Sequence, residues 1–371
     1  LLFLCLLTLL NAGDVDPKTD WPVWRGPRGT GVAESDQHIP LAWSKSENVV
    51  WKTAVPGRGH GSPVIVGQRV YLQTADEEKG LQAVLCYDRS TGKELWRVDV
   101  HTGGLETKGN KKSTQASSTP ACDGDRLYVN FLNDGSVFTT ALDLDGQQLW
   151  QTRVSDFVMH QGFGSSPALY KNLVYVTTDS KGGGVVAALE RETGKIVWSE
   201  DRPKQPNYAS PIVLHTAGQD QLLVSGCDLV SSFEPLTGKK LWEIEGATTE
   251  CVTTMVTDGQ RVFVSGGYPR KHTQAVRADG SGKTEWENNS FVYVPSMIVR
   301  DGYLYAILDA GIAICWNSET GKEMWQERIA GNFTASLVLV GDTLLAVSES
   351  GETHLWKVDP KKFEKVGKNK L

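Results

Sequence analysis

One phrase recurs along the chain: Thr-Gly-Lys, followed three residues on by Trp. It reads Thr91-Gly92-Lys93-Glu94-Leu95-Trp96 and Thr193-Gly194-Lys195-Ile196-Val197-Trp198, then Thr237-Gly238-Lys239-Lys240-Leu241-Trp242 and Thr320-Gly321-Lys322-Glu323-Met324-Trp325. Two degraded copies end in Trp150 and Trp286. The closing Trp therefore falls at 96, 150, 198, 242, 286 and 325, in steps of 54, 48, 44, 44 and 39 residues. A period of that size suits a unit of four short strands that cannot bury its faces alone. Stacked in a closed ring, such units make one all-β domain.

Each unit has the same parts. A small residue and Pro precede an apolar run, as in Ser62-Pro63-Val64-Ile65-Val66 and Ser166-Pro167-Ala168-Leu169. Pro at the first residue of a strand forfeits no ladder bond. A turn and a β-branched or aromatic run follow, as in Gly67-Gln68-Arg69-Val70-Tyr71-Leu72, and then a third strand such as Ala83–Asp88. Asp88 or Asn317 can bond backbone donors just ahead, and Gly92 can take a positive φ that costs another residue roughly 1–2 kcal/mol. The fourth strand ends in the Trp. Burying about 150–250 Å² of indole is worth at most ~4–6 kcal/mol, so Trp96, Trp150, Trp198, Trp242, Trp286 and Trp325 are read as anchors docking each sheet on its neighbour. No stretch has a sustained helical period, and helix is expected to be nearly absent.

The template predicts a β-propeller of four-stranded antiparallel blades with seven repeats, starting near Ser62, Ser118, Ser166, Ser210, Thr254, Ser296 and Ser336. The seventh is degraded, its last strand is placed at 362–366, and its blade is expected to be incomplete. Asn48-Val49-Val50-Trp51-Lys52 reads as an outer strand without partners, so either the ring closes with seven blades or, as the favoured reading, it is an eight-bladed ring in a longer chain. The propeller is thus assigned to 48–366, with a lead-in over 13–47 and a tail over 367–371. The apolar opening Leu1–Leu10 is too short to span a bilayer and reads as the h-region of a partial signal peptide over 1–12. Cys5 has no small residue before it and makes a poor lipoprotein anchor site. The mature chain is therefore expected to be exported, periplasmic or extracellular, with no transmembrane segment. Its net charge of −6 lacks the basic footprint of a nucleic-acid binder. The basic run Lys357 to Lys370 reads as a solvated end.

Beyond the signal, five cysteines remain, an odd number that leaves at least one thiol unpaired. Their spacing fits no zinc motif, and small buried hydrophobes are the favoured reading, with a Cys227–Cys251 disulfide as the alternative.

On the Asp-x-x-Thr-Gly-x-x-x-Trp core, the chain from Trp51 to Val366 resembles the pyrroloquinoline-quinone-like (PQQ-like) β-propeller repeat. The run Trp21-Pro22-Val23-Trp24-Arg25-Gly26-Pro27 resembles the lead-in of exported PQQ-like propellers of planctomycete type. At fold level the chain is also similar to the propeller lipoprotein of the outer-membrane barrel-assembly machinery. The resemblance implies two functions. One is a PQQ-dependent (quinoprotein) dehydrogenase, which in that family holds PQQ with calcium on the axis beneath two adjacent cysteines. This chain has no Cys-Cys pair, so no residue carries over as catalytic, no metal ligand is assigned, and neither PQQ nor another cofactor is expected. The other is a non-catalytic platform that binds a protein or carbohydrate partner at a channel mouth or blade edge. Loops entering the innermost strands nominate His60, Gln115, His160, Gln161, Tyr208, Glu250 and Tyr293 as ligand-binding residues. Asp76, Asp134, Asp179, Asp228 and Asp309, after the second strands, could ring a cation or sugar, but Asp also simply makes tight turns. No His-Glu-x-x-His, Cys-x-x-Cys or Gly-x-Ser-x-Gly site is present.

Overall fold

The computed structural model describes residues 15–34, 36–106 and 109–371, and the partial signal peptide over 1–12 lies outside them. Twenty-eight strands form seven four-stranded sheets, each an antiparallel meander in chain order. The blades span 64–102, 121–156, 168–202, 212–245, 256–288, 298–328 and 338–370, and are numbered 1 to 7 in that order. The first strands of several neighbouring blades approach one another, which makes them the channel-lining strands. Third strands such as Leu81–Asp88 are buried almost throughout because blades cover both faces, hence their unbroken apolar runs. Outer strands such as Gln148–Asp156 alternate with solvent. Among the described residues there is no helix long and apolar enough to cross a membrane.

The recurring phrase is a lock between blades. Asp88 Oδ1 accepts from the backbone N–H groups of Ser90 (3.0 Å) and Thr91 (2.8 Å), which folds the turn. Gly92 follows with φ +68°. The indole of the preceding outer segment lies flat on this glycine. A Cβ on Gly92, Gly194, Gly238 or Gly321 would stand 2.4–2.6 Å from Trp51, Trp150, Trp198 or Trp286. Each indole N–H then donates to a turn carbonyl of the next blade: Trp150 to Arg191 (2.9 Å), Trp198 to Pro235 (3.0 Å) and Trp286 to Ser318 (2.8 Å). Trp96 and Trp325 do the same at Leu144 and Asp359. Glycine is thus required twice, by its φ and by the ring it carries.

Trp242 departs from its expected role. Its Nε1 donates to Gln221 Oε1 of its own blade (2.8 Å), and Ile244 covers Gly282 instead. The physical reason is turn length. The blade-5 turn closes from Arg277 N to Lys283 O, one residue more than the Asp88-to-Lys93 closure of blade 1, so the glycine is displaced from the indole. Trp242 remains in the core between blades 4 and 5, against Val262 and Val276.

Both ends of the propeller differ from expectation. Asn48–Lys52 joins no sheet, yet Trp51 donates to Arg89 O (2.8 Å) and Thr53 Oγ1 to Gly92 O (2.7 Å), reproducing the docking of an outer strand without its ladder. The last strand is Lys365–Lys370, not 362–366, so blade 7 has all four strands and 367–370 are sheet, not tail. Asn369 is 7 % exposed and bonds both Leu41 O and Trp43 N (3.0 Å each), so this basic end is held against the lead-in. The described residues supply seven sheets and no strands for an eighth. The Cys227–Cys251 pairing is corrected as well: both thiols are free and buried, as are Cys86, Cys122 and Cys315.

Residues 20–33 cross the ring as a strap. Trp21 pairs with Ile65 of blade 1, Pro22 accepts from Cys122 of blade 2 (2.8 Å), and Trp24 Nε1 donates to Thr254 beside blade 5 (2.7 Å). Arg25 donates to Met297 O before blade 6, and Val32 pairs with Leu339 of blade 7. Asp20 caps Gly67 N in the turn between the first two strands of blade 1 (3.0 Å), which marks the face the strap enters.

A candidate binding site at the open mouth

In a meander, alternate connections emerge on opposite faces. Turns joining first to second and third to fourth strands share the strap's face; loops entering the first strands and loops after the second strands share the other. All seven nominated ligand-binding residues belong to loops of that second face.

The structure gathers some of them and separates the rest. Glu250 lies between blades 4 and 5 with its side chain 5 % exposed. Tyr293, between blades 5 and 6, donates its hydroxyl to Glu250 Oε2 (3.1 Å). His160, between blades 2 and 3, places Nε2 3.2 Å from Glu250 Oε1 with 30 % of its side chain exposed. Tyr208, between blades 3 and 4, stands near Gln161 and the Glu250 charge, yet its buried hydroxyl completes no hydrogen bond. Burial, then the Glu250 charge, pushes both tyrosine hydroxyls well above the usual phenol range. Four inter-blade loops therefore meet on one buried carboxylate. Gln161 borders the cluster but is turned toward Asn110, which donates to its Oε1 (3.0 Å).

His60 and Gln115 do not join. His60 is exposed on the blade-1 side, its backbone N–H bonded to Ala116 O (3.0 Å); partial burial and then Arg58 lower its pKa. Gln115 is spent on the loop carrying Glu106.

The aspartates after the second strands turn out to be fasteners, in accord with their turn chemistry. Asp179 and Arg202 form a fully buried pair (3.1 Å), and Asp179 accepts from Asn207 Nδ2 (2.9 Å). Asn207 Oδ1 in turn accepts from Cys251 N (3.0 Å), and Tyr208 N donates to Cys251 O (3.0 Å), so this web fixes the backbone on either side of Tyr208 and Glu250. Asp309 accepts from Tyr293 N (2.8 Å) and Val294 N (3.2 Å) and aims Tyr293, although burial holds its carboxyl above the usual range. Asp76 pairs with Lys79, and Asp134 occupies a turn at φ +46°. No three His, Cys, Asp or Glu gather to hold a metal ion among the described residues. Sequence patterns did not single out Tyr268, 57 % exposed on the rim, whose carbonyl accepts from Glu250 N (3.1 Å), or the exposed Lys112–Glu349 pair (3.0 Å) that ties the blade-1/2 loop to blade 7. Both lie in loops of the same two classes, but neither is of a residue type that the tight-turn or ligand patterns mark.

Chemically the cluster is an acceptor site with one idle hydroxyl. Glu250 and Tyr208 can bind donors of an incoming group if His160, the exposed member, swings away.

Seven four-stranded meanders around an axis define a β-propeller with PQQ-like repeats. The family model described as outer membrane protein assembly factor BamB matches residues 80–327 and 297–366, and the chain belongs to that family. It is 27% identical to the BamB of Burkholderia pseudomallei over 85% of this chain and 78% of that one. It is 23% identical to the tetrathionate hydrolase of Acidithiobacillus ferrooxidans over 85% of this chain and 68% of that one. Among solved structures, the quinohemoprotein alcohol dehydrogenase of Comamonas testosteroni superposes with a TM-score of 0.67 at 13% identity, over 95% of this chain and 73% of that one. At that identity the likeness concerns the fold.

Proposed function

We propose that the chain is an exported, non-catalytic propeller that binds a protein partner at the open mouth. One observation carries this: the strap enters the ring from one face, while Glu250, His160, Tyr293 and Tyr208 converge from four loops at the other. Family membership favours a protein partner, since BamB relatives are named as assembly factors for outer membrane proteins. A carbohydrate would meet the same acceptors. The test is affinity capture from a periplasmic fraction with wild type and with H160A/Y208A, followed by mass spectrometry. The variant should keep its melting temperature and lose the captured protein. Equal recovery by both would place binding elsewhere, and capture of glycans alone would replace the protein partner.

The enzyme-like relatives raise a second reading, a quinone-dependent oxidoreductase. The residues at this mouth do not fit such a group. Both oxygens of the buried Glu250 already have partners in His160 and Tyr293, so an anionic quinone beside it would meet a like charge. Reconstitution with PQQ and Ca²⁺ should therefore give no dye reduction with alcohols. Turnover would reverse the assignment.

A further inference from the structure

The strap carries a charge that nothing in the described chain balances. Arg25 is 3 % exposed. Its Nη2 donates to Thr30 O (2.7 Å) and Met297 O (2.5 Å). Nε and Nη1 have no partner. A guanidinium has five N–H donors, so the three on those two nitrogens are left without an acceptor. No carboxylate of the described residues lies within ion-pair distance of it, whereas the other deeply buried arginine, Arg202, has Asp179. Burial alone pulls the Arg25 pKa down to about 9, with no compensating charge, which still leaves the group protonated at neutral pH. A cation stripped of water and left unpaired is among the costliest arrangements in a protein interior.

The backbone here is constrained too. Arg25 sits at φ +65° and Gly26 at φ +80°, and Gly31 N closes the loop on Arg25 O (2.8 Å). A Cβ on Gly31 would lie 2.7 Å from Arg25 Nη2, so the loop is shaped closely around the guanidinium.

We infer that Arg25 holds a small inorganic anion of the chloride class, bound between the strap and the channel-lining start of blade 6. Chloride suits this place because it brings negative charge, needs no donors of its own and accepts from several N–H groups at once. It would act as the missing counter-ion, tying the strap into the channel.

The test uses the whole chain. Thermal unfolding is followed in sodium chloride and in sodium gluconate at equal ionic strength. With chloride a hundredfold above its dissociation constant, the melting temperature should stand about 3 °C higher than in gluconate, and R25M should lose that difference. Should R25M not fold, a bromide-soaked wild-type crystal decides, with an anomalous peak expected beside Arg25 Nε or Nη1. Equal melting temperatures in both salts, or no peak at Arg25, would overturn the assignment and leave those donors to water.

Discussion

Replacing Gly321 by Ala isolates the lock between blades 5 and 6. The residue sits at φ +69°, which costs an L-residue roughly 1–2 kcal/mol. The new Cβ would stand 2.6 Å from Trp286 Cδ2, so the indole must lift. Trp286 is 9 % exposed, and uncovering about half of a ~200 Å² ring forfeits ~2–3 kcal/mol. Its bond to Ser318 O, worth about 1 kcal/mol, goes with it. The total is about 4–6 kcal/mol. With an unfolding entropy of about 2.1 cal/mol/K per residue, this chain should melt ~5–8 °C lower. Gly302→Ala in the same blade is the control: its φ is +79°, but nothing lies within 4 Å of the added carbon, so only about 2 °C should be lost. Differential scanning calorimetry on both variants suffices. Should Gly321→Ala cost no more than Gly302→Ala, the Trp–Gly contact is not what holds the blades, and the phrase is merely a turn.

Asp179→Asn should destabilise by about 3–5 kcal/mol, because it strands the Arg202 charge with both side chains 2 % exposed; a loss under 1 kcal/mol in urea unfolding would contradict that. The five described thiols should react with Ellman's reagent only after denaturation, since burial pushes Cys86, Cys122, Cys251 and Cys315 up to about 12 and Cys227 higher; reductant should leave the melting temperature unchanged. His101 packs on Phe138 (5.2 Å) and burial lowers its pKa to about 4, so the folded state keeps it neutral while the unfolded chain protonates it below 6.5. Stability should fall as pH drops from 6.5 toward 4, and His101→Phe should flatten that part of the pH profile.

The two kinds of site residue were unequally legible. His160, Tyr208, Glu250 and Tyr293 could be nominated because they sit in loops entering first strands, a position the repeat identifies. His60 and Gln115 hold the same position and stay apart, since loop length and direction, which no period encodes, decide where each side chain ends. Asn207 and Asp179 illustrate the opposite case: residues of ligand-like type whose neighbours turn them into supports for the site.

The blade was determined locally. Asp88 folds its turn through donors two and three residues ahead, Gly92 supplies the φ, and the apolar runs set the strands, so the local sequence carries that unit. What the copies do to one another required the ring. Trp242 leaves its expected turn because one extra residue in a different blade moves the glycine. The lead-in has no periodicity to read, and only its contacts from Ile65 to Leu339 reveal a strap across the ring. Glu250 meets His160 and Tyr293 for the same reason: side chains on separate blades converge only when closure brings their loops to a common axis.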